Sequence, residues 1–503
     1  MTKIKLNEMA KNVLSEREYE YMSKVLLINP PFNVNKENYD SSISVGLLSI
    51  GTYLDSRGIE VVIIDGVRQE NYLDLVEKEI KDCDYAGISV MTTQAPGALE
   101  ASRLIRKANP NCKIIWGGAH PSFFVKQTAA HPLIDAVCYG EGELVMEHVA
   151  AGRDLSEVDG IAYKKNGEVI INKPQALHNP AEMPLFNWDL MPKEILDSLH
   201  LVPSLTSRGC PHRCTFCINA ILKNRWRPRT AEQVLEDLRI IQEKPYFKGK
   251  KLRFWDENFF VEIERAKKII EGMIEKNLIT PWETTVRANY LREGMIDKEF
   301  LGKIKKSGCY LLSFGAESGC PRILKKIKKD IMPEDVINSA KMCLAIGIIP
   351  QYSFMVGLPG ETRSEAMETL KLIDELAKLS DKIQILGPQA FRPYPGSELY
   401  RECLEAGWEE PKSLDDWESR VKDELNYLNV QNFPWLEDPD FVESLEAYVR
   451  FGAHSIRSAL GSTVKSNKLL KLLFILVCKL RWKLKFFKWP IEFKIARRFV
   501  VGA

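Results

Sequence analysis

Three cysteines, Cys210, Cys214 and Cys217, stand with three and then two residues between them in the stretch Ser207-Arg208-Gly209-Cys210-Pro211-His212-Arg213-Cys214-Thr215-Phe216-Cys217. Cysteine binds metal as the thiolate, and iron–sulfur cubanes are ordinarily held by four of them. Three thiolates on one short loop leave one iron without a protein ligand. An open coordination position marks a metal site that does chemistry, as it does in catalytic zinc centres. The alternative is a zinc knuckle. Zinc needs a fourth ligand close by, and His212, inside the loop, is badly placed to close a tetrahedron. Phe216, between the second and third cysteines, would shield a cluster from water.

The loop follows an apolar, β-branched run at 201–206, and from there strand and helix patterns alternate through six units. The expected strands are 201–206, 252–255, 283–287, 310–314, 351–356 and 383–391. Helices are expected at 231–243, 262–276, 298–306, 333–346 and 363–379. Six units are fewer than a full eightfold barrel, which points to an open (β/α)6 barrel. Active residues of such barrels gather at the C-terminal strand ends. Four further ends carry polar or glycine clusters: Trp255-Asp256-Glu257-Asn258-Phe259, Arg287, Gly315-Ala316-Glu317-Ser318-Gly319 and Gly357-Leu358-Pro359-Gly360-Glu361-Thr362. Each alone reads equally as a turn with a helix cap. Their occurrence in order, one per strand end, favours ligand contacts.

Upstream, five short strands (25–29, 60–65, 85–90, 113–116 and 134–138) alternate with helical patterns, which reads as a doubly wound, flavodoxin-like parallel sheet. Ligands of such sheets bind at the carboxyl ends of the strands. The loops there are Asn29-Pro30-Pro31-Phe32, Ser89-Val90-Met91-Thr92-Thr93, Gly117-Gly118-Ala119-His120-Pro121 and Tyr139-Gly140-Glu141-Gly142-Glu143. Glycines at these corners would let backbone approach a flat ligand; a doubly wound domain without a ligand has the same composition. An Asn166-Gly167 pair marks a hairpin over 160–172, followed by a proline-rich linker at 174–192.

The cysteine loop resembles the signature of the radical S-adenosylmethionine (SAM) enzymes, whose open iron is chelated by SAM, and the family is known for the partial barrel. The upstream sheet resembles the cobalamin-binding domain that precedes many such cores, with a Gly-Gly-x-His loop after strand four and a Gly-Glu-Gly-Glu-like turn after strand five. The resemblance covers roughly residues 25–400. It implies Cys210, Cys214 and Cys217 as ligands of a [4Fe-4S] cluster. It implies SAM contacts at Phe216, Asp256, Asn258, Arg287, Glu317, Ser318, Gly357 and Pro359, and cobalamin contacts at Ser89, Thr92, Gly117, Gly118, His120, Glu141 and Gly142. The D-x-H-x-x-G motif that supplies a histidine to cobalt elsewhere is absent, since 33–38 holds no histidine. His120 is therefore expected to shape the loop or touch the corrin rather than ligate cobalt. The activity implied is reductive cleavage of SAM to a 5′-deoxyadenosyl radical and methylation of an unactivated carbon, with a one-electron donor of flavodoxin or ferredoxin type as partner. An oxidative cyclase acting on a tetrapyrrole or lipid is the alternative within the family, and a cobalamin or cluster sensor the alternative outside enzymes. No side chain stands out as a general base.

The expected organisation is an N-terminal extension (1–24), a cobalamin-binding domain (25–150), a hairpin and linker (151–200), the barrel (201–396), a helical region (397–464) and a basic amphipathic tail (465–503). A net charge of +2 over 503 residues argues against a nucleic-acid binder. Eleven cysteines with no apolar N-terminal leader fit a reducing cytoplasm. No C-x2-C pair lies outside the loop, so a second cluster is not expected. The tail holds eleven Lys or Arg against one acid, Glu492, mixed with Trp, Phe and Leu. Its apolar run, 469–478, is shorter than the roughly 20 residues that cross a bilayer. It suits a helix lying on an anionic membrane surface and favours a hydrophobic substrate; a helix packed on the barrel and a nucleic-acid contact are the alternatives.

Overall fold

Apolar strand runs separated by amphipathic segments build two α/β units in the computed structural model, which describes residues 23–32, 43–422, 430–453 and 468–497. The first unit spans 1–203, 236–250 and 410–427, and the second 204–235, 251–409 and 428–503. The expected features at 1–22, 33–38, 454–467 and 498–503 lie outside the described residues.

In the first unit the strands are β1 (Lys24–Asn29), β2 (Glu60–Asp65), β3 (Tyr85–Ser89), β4 (Lys113–Gly117), β5 (Ala136–Cys138), β6 (Ile161–Lys165) and β7 (Glu168–Ile171). They form one sheet in the order β2-β1-β3-β4-β5-β6-β7. The first five are parallel, in the flavodoxin-like order, and are buried on both faces as continuous apolar runs require. The expected hairpin joins this sheet, β6 pairing antiparallel with β5 and covering its edge. A surprise is the helix Leu414–Lys422, grouped by sequence with the C-terminal helices. It belongs to the first unit, where Trp417 is fully buried and Arg103 holds Glu418 through two hydrogen bonds of 2.9 and 2.8 Å.

In the second unit β8 (Leu201–Ser204) leads to a two-stranded ribbon, β9 (Ser207–Arg208) with β10 (Arg227–Pro228), and then to β11 (Lys251–Phe254), β12 (Trp282–Val286), β13 (Cys309–Glu317), β14 (Ile349–Val356) and β15 (Gln384–Ala390). The six-stranded sheet runs in chain order, parallel from β11 to β15, as expected of an opened barrel. Along β14 burial alternates strictly, Gln351, Ser353 and Met355 half-buried and the residues between them buried. One sheet face is thus sealed and the other lines open space. The helices between strands start on local caps, such as the Thr362–Glu365 capping box of the helix Arg363–Leu379. Among the described residues no helix is long and apolar enough to cross a membrane.

Candidate active site

The cysteine loop is locked from behind by the end of β11. Asp256 accepts hydrogen bonds from the Thr206 N–H (3.2 Å), Thr206 Oγ1 (2.9 Å) and Ser207 Oγ. Arg265 donates to the carbonyls of Thr206 (2.6 Å) and Arg229 (2.7 Å), on the two chain segments that form the ribbon. Gly209 has φ +78°, and a Cβ there would strike the Arg225 carbonyl and lie 2.6 Å from that of Asn224. The Cys210 N–H donates to the same Asn224 carbonyl (3.2 Å), so only glycine permits the turn. The far side of the loop is tied by the Thr215 N–H to the Ile327 carbonyl (3.1 Å).

Held this way, all three cysteines and Phe216 line a cavity of about 410 Å³. Burial raises the thiol pKa values of Cys210 and Cys217; a metal reverses this, since a coordinating thiol is deprotonated outright. Among the described residues no three His, Cys, Asp or Glu side chains converge as a single ion requires. All three thiols border this one cavity, as three ligands of a multi-iron cluster would.

Asn258 and Arg287 line the same cavity. Asn258 Nδ2 donates to Tyr290 Oη (3.3 Å), which also meets His212 Nε2 (3.0 Å), while Asn258 Oδ1 is buried without a partner. Arg287 donates through Nη2 to the Lys329 carbonyl, and its Nε is buried without a partner. An orphaned acceptor and an orphaned donor in one cavity match the ammonium and carboxylate of an amino-acid end. Beside them Glu317 has φ +62°, at a register shift between β13 and β14. A bulged, left-handed residue of this kind is costly and gathers at functional sites. Its carboxylate meets Lys329 Nζ at 2.7 Å.

Lys329 is the functional candidate that sequence reasoning missed. It lies between two left-handed residues, Lys328 (φ +51°) and Asp330 (φ +52°), is 9% exposed and reaches the cavity. Glu257, part of the polar cluster expected after β11, lines the cavity, and burial raises its pKa. Four expected SAM residues are engaged in other contacts. Asp256, its pKa raised by burial, is the loop lock just described. Ser318 bonds Thr369 Oγ1 (3.1 Å) and the Cys320 N–H (3.1 Å). Gly357, whose Cβ would meet Val442 at 2.9 Å, accepts from Trp435 Nε1 (2.9 Å), and the Pro359 carbonyl accepts from Lys326 Nζ (2.6 Å). None of the four lines the cavity.

In the first unit the expected cobalamin residues sit at parallel strand ends. Ser89 and Gly117 are register partners. Gly118 has φ +93°, and a Cβ there would lie 2.8 Å from the Val90 nitrogen. That corner must be glycine, which leaves a flat backbone edge of the kind a planar ligand needs. Glu141 accepts from the His178 N–H (3.1 Å), and Gly142 packs on Ile50. Thr92 Oγ1 lies 3.3 Å from His120 Nδ1. His120 is fully buried against Phe124 and Trp417, at ring-centroid distances of 5.1 and 5.4 Å. Burial lowers its pKa to about 3. Packed there, its ring supports the loop.

A family model described as the radical SAM superfamily matches residues 204–373, and one described as the B12 binding domain matches 39–150. An uncharacterized methyltransferase of Pyrococcus horikoshii is 31% identical over 394 residues, covering 76% of this chain and 83% of its own. Cytidylyl-2-hydroxyethylphosphonate methyltransferase of Streptomyces wedmorensis is 26% identical, covering 77% and 83%. The anaerobic magnesium-protoporphyrin IX monomethyl ester cyclase of Rubrivivax gelatinosus is 24% identical, covering 71% and 64%. Among solved structures, the radical SAM methyltransferase TsrM of Kitasatospora setae superposes with a TM-score of 0.64 at 18% identity, over 76% of each chain. The chain belongs to the radical SAM superfamily, and with its B12-binding domain it is a cobalamin-dependent radical SAM enzyme whose cofactors are a [4Fe-4S] cluster, SAM and cobalamin.

Proposed function

We propose that the chain is a C-methyltransferase acting on an unactivated carbon of a small molecule. The reading rests on one observation above others: the orphaned Asn258 Oδ1 and Arg287 Nε share a cavity with the three thiols. When bound, the cluster and SAM would supply a one-electron cleavage that yields methionine and, with a hydrogen atom taken from the substrate carbon, 5′-deoxyadenosine, and cobalamin would supply the methyl group.

The protein's part is to hold, orient and keep dry. Cys210, Cys214 and Cys217 hold the cluster. Asn219 Nδ2, 4.0 Å from Cys217 Sγ, offers a weak hydrogen bond of the kind that tunes cluster potential. Phe216 excludes water. Asn258 Oδ1 accepts from the SAM ammonium, Arg287 Nε donates to its carboxylate, and Glu317, fixed by Lys329, accepts from the ribose. Ser89, Thr92, Gly117, Gly118, Glu141 and Gly142 hold cobalamin within a domain spanning 25–150, ahead of a barrel spanning 201–396. The inner sheet face offers Ser313, Gln351 and Ser353 to the cavity. A largely hydrophobic substrate would therefore need a polar group to meet them. The single electron comes from a flavodoxin- or ferredoxin-type donor in the cytoplasm, and the basic tail at 465–503 rests on a membrane surface.

Anaerobic reconstitution with dithionite and SAM tests the reading. It predicts 5′-deoxyadenosine from the intact chain and none from Cys214→Ala. Failure of the intact, iron-loaded protein to release the nucleoside would leave a sensor as the better description. Turnover without methyl incorporation from labelled SAM would favour cyclase chemistry, the activity named for the Rubrivivax relative.

A further inference from the structure

The C-terminal helix Lys468–Leu484 has two opposite apolar faces. One is spent on the second unit: Phe474, Ile475, Cys478 and Trp482 are buried. A Cβ on Gly452 would lie 2.8 Å from the Cys478 carbonyl and 2.9 Å from Trp482 Cβ, so helix and chain touch backbone to backbone there. Trp482 Nε1 donates to Asp374 (2.9 Å), and Lys485 pairs with the same carboxylate (3.0 Å). The helix is thus fixed on its unit, as the packed-helix alternative anticipates.

That packing leaves the other face unexplained. Leu473, Leu476, Val477, Leu480 and Leu484 recur at helical spacing and are 36 to 64% exposed. Trp489 follows at 73%, on a turn that Arg481 pins by donating to the carbonyls of Lys488 and Trp489 (2.8 Å each). With Phe486 and Ile491, eight of the eighteen exposed large apolar side chains among the described residues lie between residues 473 and 491. That is a patch, not scatter. Helical periodicity places Lys479 and Lys483 along one border of the stripe and Arg481 along the other. The acid of this segment, Glu492, is engaged by Arg481 (2.7 Å) and Tyr448 (2.6 Å).

We infer that this stripe, bordered by lysines and ended by Trp489, is the face that enters an anionic lipid bilayer. The inference rests on the membrane reading of the tail and assigns it to one face of one helix. A second copy of the chain is disfavoured because self-pairing would set lysine against lysine. Nucleic acid is disfavoured because the centre of the stripe is aliphatic, with no ring for bases to stack on. An amphipathic helix on acidic headgroups accounts for both the stripe and its border.

Sedimentation of the full-length chain with vesicles of phosphatidylcholine, alone or mixed with phosphatidylglycerol, tests this. Binding is expected to the mixed vesicles, weakened about fivefold for each of Lys483→Gln and Lys488→Gln. Leu480→Asp and Leu484→Asp should each cost about tenfold or more while leaving the thermal midpoint unchanged, since both side chains face solvent. Leucine variants that pellet like the parent would overturn the assignment to this face while leaving the membrane reading standing. No pelleting with either vesicle would overturn both. A dimer in solution that Leu480→Asp dissociates would give the face to a second copy and likewise overturn the proposal.

Discussion

Replacing Gly315 with alanine tests whether the Glu317–Lys329 pair prepares the cavity for SAM. Gly315 is not left-handed, so its backbone accepts alanine without strain. The added Cβ would strike Glu317 Oε1 and lie 2.6 Å from Lys329 Nζ. With Lys329 and Glu317 side chains only 11% and 12% exposed, the pair cannot swing into water and must part within the cavity. At an effective dielectric constant of about 20, unit charges at the observed 2.7 Å attract by about 6 kcal/mol, and at roughly 4 Å by about 4. The loss of about 2 kcal/mol corresponds to about thirtyfold in an equilibrium constant. Some of it falls on folding, so SAM affinity should weaken by about ten- to thirtyfold. Anaerobic equilibrium binding of SAM to iron-loaded Gly315→Ala and parent protein measures this, with iron content and thermal midpoint as controls. Equal SAM affinities at equal iron content would refute the reasoning and leave the pair a structural bridge.

Asp256→Asn weakens the lock behind the cysteine loop, at about 1.5–3 kcal/mol for bonds to a charged acceptor. Iron per chain should fall while the loaded fraction binds SAM as the parent does; normal iron with weakened SAM binding would make Asp256 a ligand after all. Gly118→Ala forces a side chain into a glycine-only region (φ +93°, ψ −167°) at about 1–3 kcal/mol and against the Val90 nitrogen. Corrin absorbance of protein purified with the vitamin should drop, and full retention would remove Gly118 from the cobalamin loops. His120 is neutral when folded because burial lowers its pKa to about 3. The unfolded chain therefore binds the proton first, and stability, complete above about pH 7, falls as pH drops from about 6.5 toward 3. Between pH 7.5 and pH 5 the loss from this group is about 2 kcal/mol, and His120→Gln should remove that part of the slope in urea unfolding. Parallel slopes for the two proteins would contradict it.

Both sheets were legible because strand and helix periods alternate cleanly from Lys24 to Ala390. The burial of β1 on both faces is what a run such as Val25-Leu26-Leu27-Ile28 requires. What the chain's order concealed was tertiary. Nothing local tells the helix Leu414–Lys422 to join the first unit, where Trp417 seals His120, a partner almost three hundred positions earlier. Lys329 escaped for a related reason. It sits on no periodic element, and a lysine in a turn next to Lys328 reads as solvated; only the Glu317 carboxylate and the two left-handed neighbours explain its burial.

Which expected SAM residues border the cavity follows in part from a rule the sequence already carries. Side chains alternate across a strand, so the face seen by one residue is seen by the residue two further on. On β13, Ser313, Gly315 and Glu317 all line the cavity, which puts Ser318 on the opposite face, where it bonds Thr369. On β11 and just beyond it, Arg253 and Glu257 line the cavity and Asp256 turns away to hold Thr206 and Ser207. An acid at a strand end is therefore two different things depending on the way it faces: a wall of the pocket, or the clamp on the loop beside it. Residue type alone cannot choose between them, and strand alternation ends with the strand: beyond β11 Glu257 and Asn258 both line the cavity while Trp255 and Asp256 do not. Exchanging Asp256 and Glu257 would keep composition and charge, and should cost the loop its clamp and the cavity its acid together.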